Sequence, residues 1–251
     1  MEHSQKEFIF TQIDTVKGVN VNVKDLKEIY RNGPQIHELN DISTLKQRTS
    51  IKPGLYTLKN VAVKEYEGSL NDQALREYII GCKTVNTLSS IVPYFVKTLG
   101  LISYDTKIGI VYPKIKGISL SELLKEGMGF SSWIRIFFQL MIGLEIAQRK
   151  VSFTHYDLHV DNVMVIDGTT EGHTILLDDT IYTVKSTPLP VIIDFGTTSV
   201  SIDGRYIGSY DYTNSGIFYF VVPGHDMFRL IVSSYCSADN SSTRKGILKL
   251  F

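Results

Sequence analysis

The stretch that decides the fold is Phe153-Thr154-His155-Tyr156-Asp157-Leu158-His159-Val160-Asp161-Asn162-Val163-Met164-Val165. It places Asp157 and Asn162 in one polar turn, which a short apolar run closes. A second stretch lies downstream, Val191-Ile192-Ile193-Asp194-Phe195-Gly196, where an Asp directly follows a β-branched strand. A single Asp in a loop is most often a turn or cap residue, so neither stretch is specific alone. Their order along the chain makes them informative.

Together the two stretches resemble the catalytic loop and the metal-binding loop of protein kinases, with H-x-D-x-x-x-x-N followed by D-F-G. The resemblance implies phosphoryl transfer from ATP, in which Asp157 accepts or orients the substrate hydroxyl. Asn162 and Asp194 would offer oxygen ligands to Mg²⁺, a hard cation that keeps waters and phosphates in its shell. The resemblance further implies that His155 packs under the Phe195-Gly196 turn and fixes the loop through a backbone hydrogen bond.

Upstream, Val61-Ala62-Val63-Lys64 resembles the kinase strand whose lysine reaches the α- and β-phosphates of ATP. A helix predicted over residues 72–88 carries Glu77, the expected partner of Lys64. Two simpler interpretations stay open: Lys64 would be a surface lysine on an edge strand, and Glu77 would be a solvated charge on a helix. The chain departs from the kinase pattern between Ser43 and Lys59, where Gly54 is the only glycine in place of a glycine-rich loop.

Two strands are predicted over residues 91–102 and 107–112, joined by a turn at residues 104–106. They resemble the pair that leads to the kinase hinge, with Tyr112 at the gatekeeper position. The backbone of Pro113 and Ile115 would then bind adenine, because proline lacks an N–H but still offers its carbonyl. The resemblance thus implies catalytic roles for Asp157, Lys64 and Glu77, and binding of nucleotide and metal by Lys64, Tyr112, Pro113, Ile115, Asn162 and Asp194.

Helices dominate the region between the hinge and the catalytic loop. Ser119 stands three residues before Glu122, as in a capping box, and predicts a short helix. Ser131 or Ser132 is the expected cap of a longer helix that runs to about residue 150. Its most apolar part, residues 133–147, carries charged side chains and is too short to span a bilayer, so a core helix is expected. Near the N-terminus, residues 23–30 predict a short helix ended by Asn32-Gly33-Pro34.

The interval between residues 165 and 191 is long for a kinase and predicts a β-hairpin insertion at about 166–190. With His159 where most protein kinases have Lys, and Asp226 preceded by no A-P-E motif, the chain resembles the haspin branch of eukaryotic protein kinases. Similar kinases occur in large DNA viruses. The resemblance implies that Asp226 is a buried helix-F aspartate that binds backbone N–H groups of the catalytic loop; a helix N-cap is the alternative. Tyr156 replaces an Arg that reads a phosphorylated activation loop, which predicts activity without that phosphorylation.

We therefore expect an α+β, bilobal, protein-kinase-like fold. Residues 1–116 would form an N-terminal segment, a strand-rich N-lobe and the hinge. Residues 117–251 would form a mainly helical C-lobe, reduced or truncated after helix F, with an activation region at residues 197–223. The expected function is ATP- and Mg²⁺-dependent transfer of the γ-phosphate to Ser or Thr of a protein.

Two other functions stay open. Small-molecule kinases of the aminoglycoside or choline type share the H-x-D-x-x-x-x-N pattern and often have His at the position of His159. A pseudokinase that acts as a binding module would explain the missing glycine-rich loop. The complete D-F-G favours a protein kinase over a small-molecule kinase, and the intact set of Lys64, Asp157 and Asp194 counts against a pseudokinase.

Composition narrows the class of protein. Lys plus Arg and Asp plus Glu are both 26, so the formal charge is zero, which argues against a general nucleic-acid or membrane-surface binder. Cys82 and Cys236 are the only cysteines, and the N-terminus shows no apolar signal region. We expect an intracellular protein of the cytoplasm or nucleus, in the host cell if the source is viral, with ATP and a protein substrate as partners.

Overall fold

The computed structural model describes residues 49–58, 60–67, 71–104, 107–167, 172–177, 180–184, 188–208 and 221–250. The helix predicted at residues 23–30, the turn residues 105–106 and the central part of the predicted activation region, residues 209–220, lie outside this set. The chain divides into two compact units, one formed by Met1–Thr87 with Lys97–Lys114 and the other by Leu88–Val96 with Ile115–Phe251. The change of unit at Lys114 falls close to the predicted boundary at residue 116, and Leu88–Val96 joins the second unit.

The N-terminal unit is built on a five-stranded antiparallel sheet with the order β1-β2-β3-β5-β4. Its strands are β1 (Thr49–Lys52), β2 (Leu55–Leu58), β3 (Val61–Glu67), β4 (Gly100–Tyr104) and β5 (Lys107–Pro113). Gly54 connects β1 to β2 at a φ of +74°, a left-handed conformation that favours glycine. Because β3 pairs with β2 on one side and β5 on the other, Lys64 lies on an inner strand, and the edge-strand interpretation is wrong.

A helical segment follows β3. It comprises α1 (Asn71–Ile80), a π-helical turn (Gly81–Val85) and α2 (Asn86–Ile91), so the helix predicted over 72–88 is present and extends further. The π-helical turn lies against Thr98, since a Cβ added at Gly81 would stand 2.1 Å from the Oγ1 of Thr98. Such π-bulges are rare and depend on tertiary contacts of this kind.

The strand predicted over residues 91–102 is wrong for most of its length, because only residues from Gly100 onward belong to β4. The side chain of Asn86 binds both the N–H and the C=O of Thr98, each at 2.8 Å, and so replaces ladder partners. In the C-terminal unit, Tyr94 and Val96 instead bind the backbone of Ile192. Local β-propensity is thus overridden by specific tertiary partners.

Four helices of the C-terminal unit are α3 (Leu120–Lys125), α4 (Phe130–Val151), α5 (His225–Ser237) and α6 (Ser241–Leu248). The capping box of Ser119 and Glu122 is present and is confirmed. The predicted cap of α4 is wrong, because the N-cap is Gly129 and Phe130 already belongs to the helix. The chain continues past α5, the helix-F position, into α6, which is capped by Asn240.

Within the described residues, α4 is long and apolar enough to cross a membrane by length and composition, with half of its most apolar window buried. The argument that this segment is too short therefore fails, since the helix has 22 residues. The burial of α4 nevertheless supports its assignment as a core helix, because Trp133, Ile136 and Leu140 are all buried within the C-terminal unit. Core helices of globular proteins meet the same length and composition criteria.

The strands of the C-terminal unit position the candidate site. An antiparallel sheet has the order β10-β7-β6, with β6 (Ile118–Ser119), β7 (Val163–Ile166) and β10 (Leu189–Ile192). The predicted hairpin insertion is confirmed as β8 (His173–Leu177) and β9 (Thr180–Val184), and β11 (Val200–Ile202) pairs with β12 (Arg205–Ile207). Val163 pairs with Ile192, so β7 begins just after the catalytic loop where β10 ends just before Asp194.

The fold is α+β, with a strand-rich N-terminal unit and a mainly helical C-terminal unit, as the kinase-like prediction requires. The antiparallel register of β7 and β10 brings the two decisive stretches of sequence to the same end of one sheet. This placement follows from the pairing alone and sets the backbone of the candidate site.

Candidate active site

The predicted catalytic loop is fixed by hydrogen bonds to one buried carboxylate. Asp226 is 1% exposed; its Oδ2 accepts the N–H of His155 at 2.7 Å and its Oδ1 accepts the N–H of Tyr156 at 2.9 Å. Burial raises the pKa of Asp226, while His155 and the two backbone donors oppose that rise. Gly224 is the N-cap of α5, so the interpretation of Asp226 as an N-cap is wrong.

His155 lies where the sequence predicts. Its ring packs 5.8 Å from the ring of Phe195 between centroids, and its Nε2 lies 3.0 Å from the carbonyl oxygen of Ile193. The backbone N–H of Asp157 lies 3.3 Å from His155 Nδ1. His155 therefore ties the catalytic loop to the Phe195-Gly196 turn.

Asp157 presents its carboxylate on the surface of the C-terminal unit. The side chain is 39% exposed, and its Oδ1 lies 2.6 Å from Nη2 of Arg229, while Oδ2 lies 3.6 Å from Nε2 of His159. Partial burial acts to raise the pKa of Asp157, but His159, Arg229 and His155 together hold that pKa below its usual value. The carboxylate is therefore ionised near neutral pH and accepts hydrogen bonds.

Asn162 and Asp194 are brought together by the backbone. The N–H of Ile193 donates to the backbone carbonyl of Asn162 at 3.0 Å, so the two loops run side by side. The side-chain nitrogen of Asn162 donates to the carbonyl of Asp157 at 2.9 Å, which leaves the amide oxygen as its acceptor end. Asp194 adopts a φ of +66° and accepts the N–H of Gly196 at 3.3 Å. A left-handed Asp is uncommon, and such residues cluster at functional sites.

This donor set fits magnesium. An amide oxygen and a carboxylate are hard ligands, and Mg²⁺ is commonly bound through one or two protein groups while phosphates and waters complete its shell. Among the described residues no group of three or more His, Cys, Asp and Glu side chains is arranged for a metal ion. The residues present therefore suit a metal that arrives with a phosphate ligand, and Asn162 and Asp194 would hold it.

The N-terminal unit contains a second cluster, centred on Glu77. Its Oε2 lies 2.9 Å from Nζ of Lys64, and its Oε1 accepts the hydroxyl of Tyr112 at 2.6 Å. The hydroxyl of Tyr66 also donates to Oε2. Glu77 is 1% exposed, so its charge is buried and held by three donors. The predicted pairing of Lys64 with Glu77 is present, and a solvated helix charge is wrong for Glu77.

The residues predicted to bind adenine are placed as follows. Tyr112 is buried on β5, and its hydroxyl is directed to Glu77. Pro113 is the last residue of β5, and Ile115 is half-buried just after it. The N–H of Lys114 donates to the carbonyl of Asn60 at 2.8 Å, which fixes the path of the chain between them. Adenine binding by these residues stays a prediction.

Two residues that contact the predicted site residues, Tyr66 and Arg229, were not identified from the sequence. Tyr66 stands two positions after Lys64 on β3, and alternate residues of a strand share a face, so it is a natural third partner of Glu77. Arg229 stands three positions after Asp226 on α5, and residues at that spacing share a helix face. In each case the signal was a spacing relative to a residue already singled out.

One comparison with known proteins supports a kinase-like relationship. No family model matches the chain. The chain is 33% identical over 247 residues to "Probable kinase 098L" of Invertebrate iridescent virus 3, and the match covers 96% of this chain and 47% of the viral protein. The chain thus spans about half the length of this relative. Among solved structures, one of the Rad53 kinase domain and SCD2 aligns at a TM-score of 0.42 with 18% identity, covering 61% of this chain and 52% of that chain.

Proposed function

We propose that this chain is an ATP- and Mg²⁺-dependent protein kinase that transfers the γ-phosphate to Ser or Thr hydroxyls, and that it acts inside cells, in the cytoplasm or nucleus. The similarity to a viral protein named as a probable kinase supports the general class. Two free cysteines, Cys82 and Cys236, suit a reducing compartment. A host cell is the expected setting if the source is viral. The haspin-like branch is a finer proposal that rests on sequence motifs.

The observation that carries the proposal is the way in which Asp226 organises the catalytic loop. Its carboxylate binds the N–H groups of His155 and Tyr156, and Tyr156 adopts a left-handed φ of +65°. The next residue, Asp157, is thereby directed away from the core with a half-exposed carboxylate. A buried acid that is used to display a second acid suits a catalytic loop better than a plain turn, because strained backbone is retained where a function requires it.

Asp157 would act on the acceptor hydroxyl. Its pKa is held below the usual value by His159, Arg229 and His155 against the effect of burial, so the carboxylate is ionised at neutral pH. An ionised carboxylate of low pKa is a weak base but a good hydrogen-bond acceptor, which orients the hydroxyl for attack. Phosphoryl transfer depends mainly on such positioning, so a strong base is not required.

Separate groups would neutralise the negative charge of the phosphates. Asn162 and Asp194 would hold Mg²⁺, which when bound neutralises the charge that develops on the phosphates. Lys64 would bind the α- and β-phosphates as a point charge, and its place is set by Glu77 at 2.9 Å. The hydroxyls of Tyr66 and Tyr112 fix Glu77 in turn. Phosphorylation of the activation region is not required in this scheme, because Tyr156 stands where many kinases have the Arg that binds a phosphorylated activation loop.

The experiment is transfer of labelled phosphate from ATP to a panel of proteins and peptides, with and without Mg²⁺. Asp157→Asn and Asp194→Asn preserve shape and remove one charge each, and Asp239→Asn is the matched control because Asp239 is exposed. We expect label on Ser or Thr with the wild type and the control. The rate of phosphate transfer should fall about 10²-fold or more in the two site variants. This is the lower end of the range expected when a group that acts in the transition state is removed.

Other outcomes select other functions. Phosphorylation of an aminoglycoside or choline in a parallel panel, with no labelled protein, would establish a small-molecule kinase. An increase of the melting temperature by ATP without any turnover would establish a nucleotide-binding pseudokinase. Label that persists in Asp157→Asn at the wild-type rate would refute the assigned role of Asp157.

A further inference from the structure

We infer that Arg229 is a positioning residue for Asp157, a role that rests on the proposed kinase function. Its Nη2 donates to Oδ1 of Asp157 at 2.6 Å, which is the short distance expected of a charge-assisted hydrogen bond. Asp157 and Arg229 lie 72 positions apart in sequence, and each side chain is about 40% exposed. A contact of this range joins the catalytic loop to a rigid helix.

The first two turns of α5 contact three consecutive residues of the loop. Asp226 binds the backbone N–H groups of His155 and Tyr156, and Arg229, one turn further along α5, binds the side chain of Asp157. The orientation of the Asp157 carboxylate is therefore set by the same helix that sets the backbone beneath it. Groups held by a rigid element keep a reactive geometry more accurately than groups held by a loop.

The chemistry of arginine suits this task. A guanidinium is planar, permanently charged and directional, so it fixes the plane of a carboxylate as well as its charge. Arg229 uses Oδ1 of Asp157, while Oδ2 lies 3.6 Å from Nε2 of His159, an ion-pair distance that is longer than a hydrogen bond. Oδ2 is thus the oxygen presented to an acceptor hydroxyl. Arg229 would leave one oxygen for the reaction and immobilise the other.

The ion pair of Arg229 and Asp157 should contribute little to the free energy of folding, so variants of Arg229 can be assayed as folded proteins. Ion pairs between partly exposed side chains are worth little in stability, so Arg229→Gln should fold. The matched control is Arg149→Gln, because Arg149 forms an exposed ion pair with Glu145 at 2.5 Å within α4 and is not part of the site. Arg229→Lys keeps the charge but loses the planar fork, and it separates charge from orientation.

The experiment measures kcat and KM for ATP and for the protein acceptor in each variant. We expect kcat of Arg229→Gln to fall about ten- to a hundredfold with KM for ATP within about twofold, because a displaced reactive group costs rate more than nucleotide binding. Arg229→Lys should recover part of the loss, and Arg149→Gln should match the wild type. In an Asp157→Asn background, adding Arg229→Gln should change the residual rate less than about twofold, since Arg229 acts through Asp157.

Three results would overturn the inference. One is a kcat for Arg229→Gln equal to that of the wild type. Another is a loss in Arg149→Gln of the same size, and the third is an undiminished Arg229 effect in the Asp157→Asn background, which would indicate direct contact with substrate. If the wild type itself transfers no phosphate, the proposed function fails, whereas wild-type transfer combined with any of these three results refutes the inference alone.

Discussion

Replacing Glu77 by Gln tests the cluster of the N-terminal unit most directly. The substitution keeps the shape of the side chain, but it replaces a buried carboxylate that accepts from Lys64, Tyr66 and Tyr112. The amide nitrogen of Gln must then face a donor, and the ammonium of Lys64 cannot accept a hydrogen bond. One buried charge-assisted contact is lost and a second is weakened. Because Lys64 is partly exposed and can reach water, the free energy of unfolding should fall by about 2–4 kcal/mol rather than by the larger cost of a fully buried pair.

The assay is chemical denaturation, with the slope of the transition checked for constancy. The matched control is Glu67→Gln, since Glu67 lies on β3 and pairs with Lys107 at 2.9 Å, but its side chain is 73% exposed. That control should change the free energy of unfolding by less than about 0.5 kcal/mol. In a double-mutant cycle, Tyr112→Phe and Glu77→Gln should be non-additive by about 0.5–3 kcal/mol, because they share a hydrogen bond. Equal losses in Glu77→Gln and Glu67→Gln would refute the account of a buried, three-donor carboxylate.

Three further outcomes are expected. Asp226→Ala leaves two buried backbone N–H groups without their acceptor, so denaturation should show a loss of about 2–5 kcal/mol, and a loss below about 1 kcal/mol would contradict the anchor. Gly117→Ala places a Cβ 2.5 Å from the carbonyl oxygen of Val165, whereas Gly129→Ala meets nothing within 4 Å and changes only the N-cap of α4; the melting temperature should fall further in the first variant than in the second. Burial lowers the pKa of His173, so the folded chain disfavours its protonation. Stability should therefore be full above pH 6.5, the usual pKa of histidine, and fall below it relative to His173→Gln; parallel pH curves for the two proteins would show that this account is wrong.

The parts of the site that could be predicted from sequence are those fixed by short-range spacing. The loop between α4 and β7, and the Asp two residues after β10, are local features of the sequence. The pairing of Lys64 with Glu77 was predicted from the resemblance of the Val61–Lys64 strand and the following helix to those of protein kinases. Both predictions needed only short motifs and the order of elements.

The parts that could not be predicted depend on a partner distant in sequence. Asn86 binds the backbone of Thr98 and so prevents the strand that local propensity indicates. Ser131 is a better N-cap by composition than Gly129, but α4 begins at Phe130, whose ring packs against Gly246 of α6. A contact with a helix more than 100 positions away is not visible in the local sequence. Arg229 was not identified from the sequence because its partner, Asp157, lies 72 positions away.

The acidic residues of the two clusters divide by burial into two kinds. Glu77 and Asp226 are each 1% exposed and are bound by several donors, whereas Asp157 is 39% exposed and Asp194 is half-buried. A buried carboxylate is retained only where donors offset the cost of removing it from water, so the first kind serves to organise structure. A partly exposed carboxylate carries a smaller cost and remains accessible to a substrate or a metal ion. Activity lost on substitution of Glu77 or Asp226 therefore combines misfolding with chemistry, while substitution of Asp157 or Asp194 isolates the chemistry.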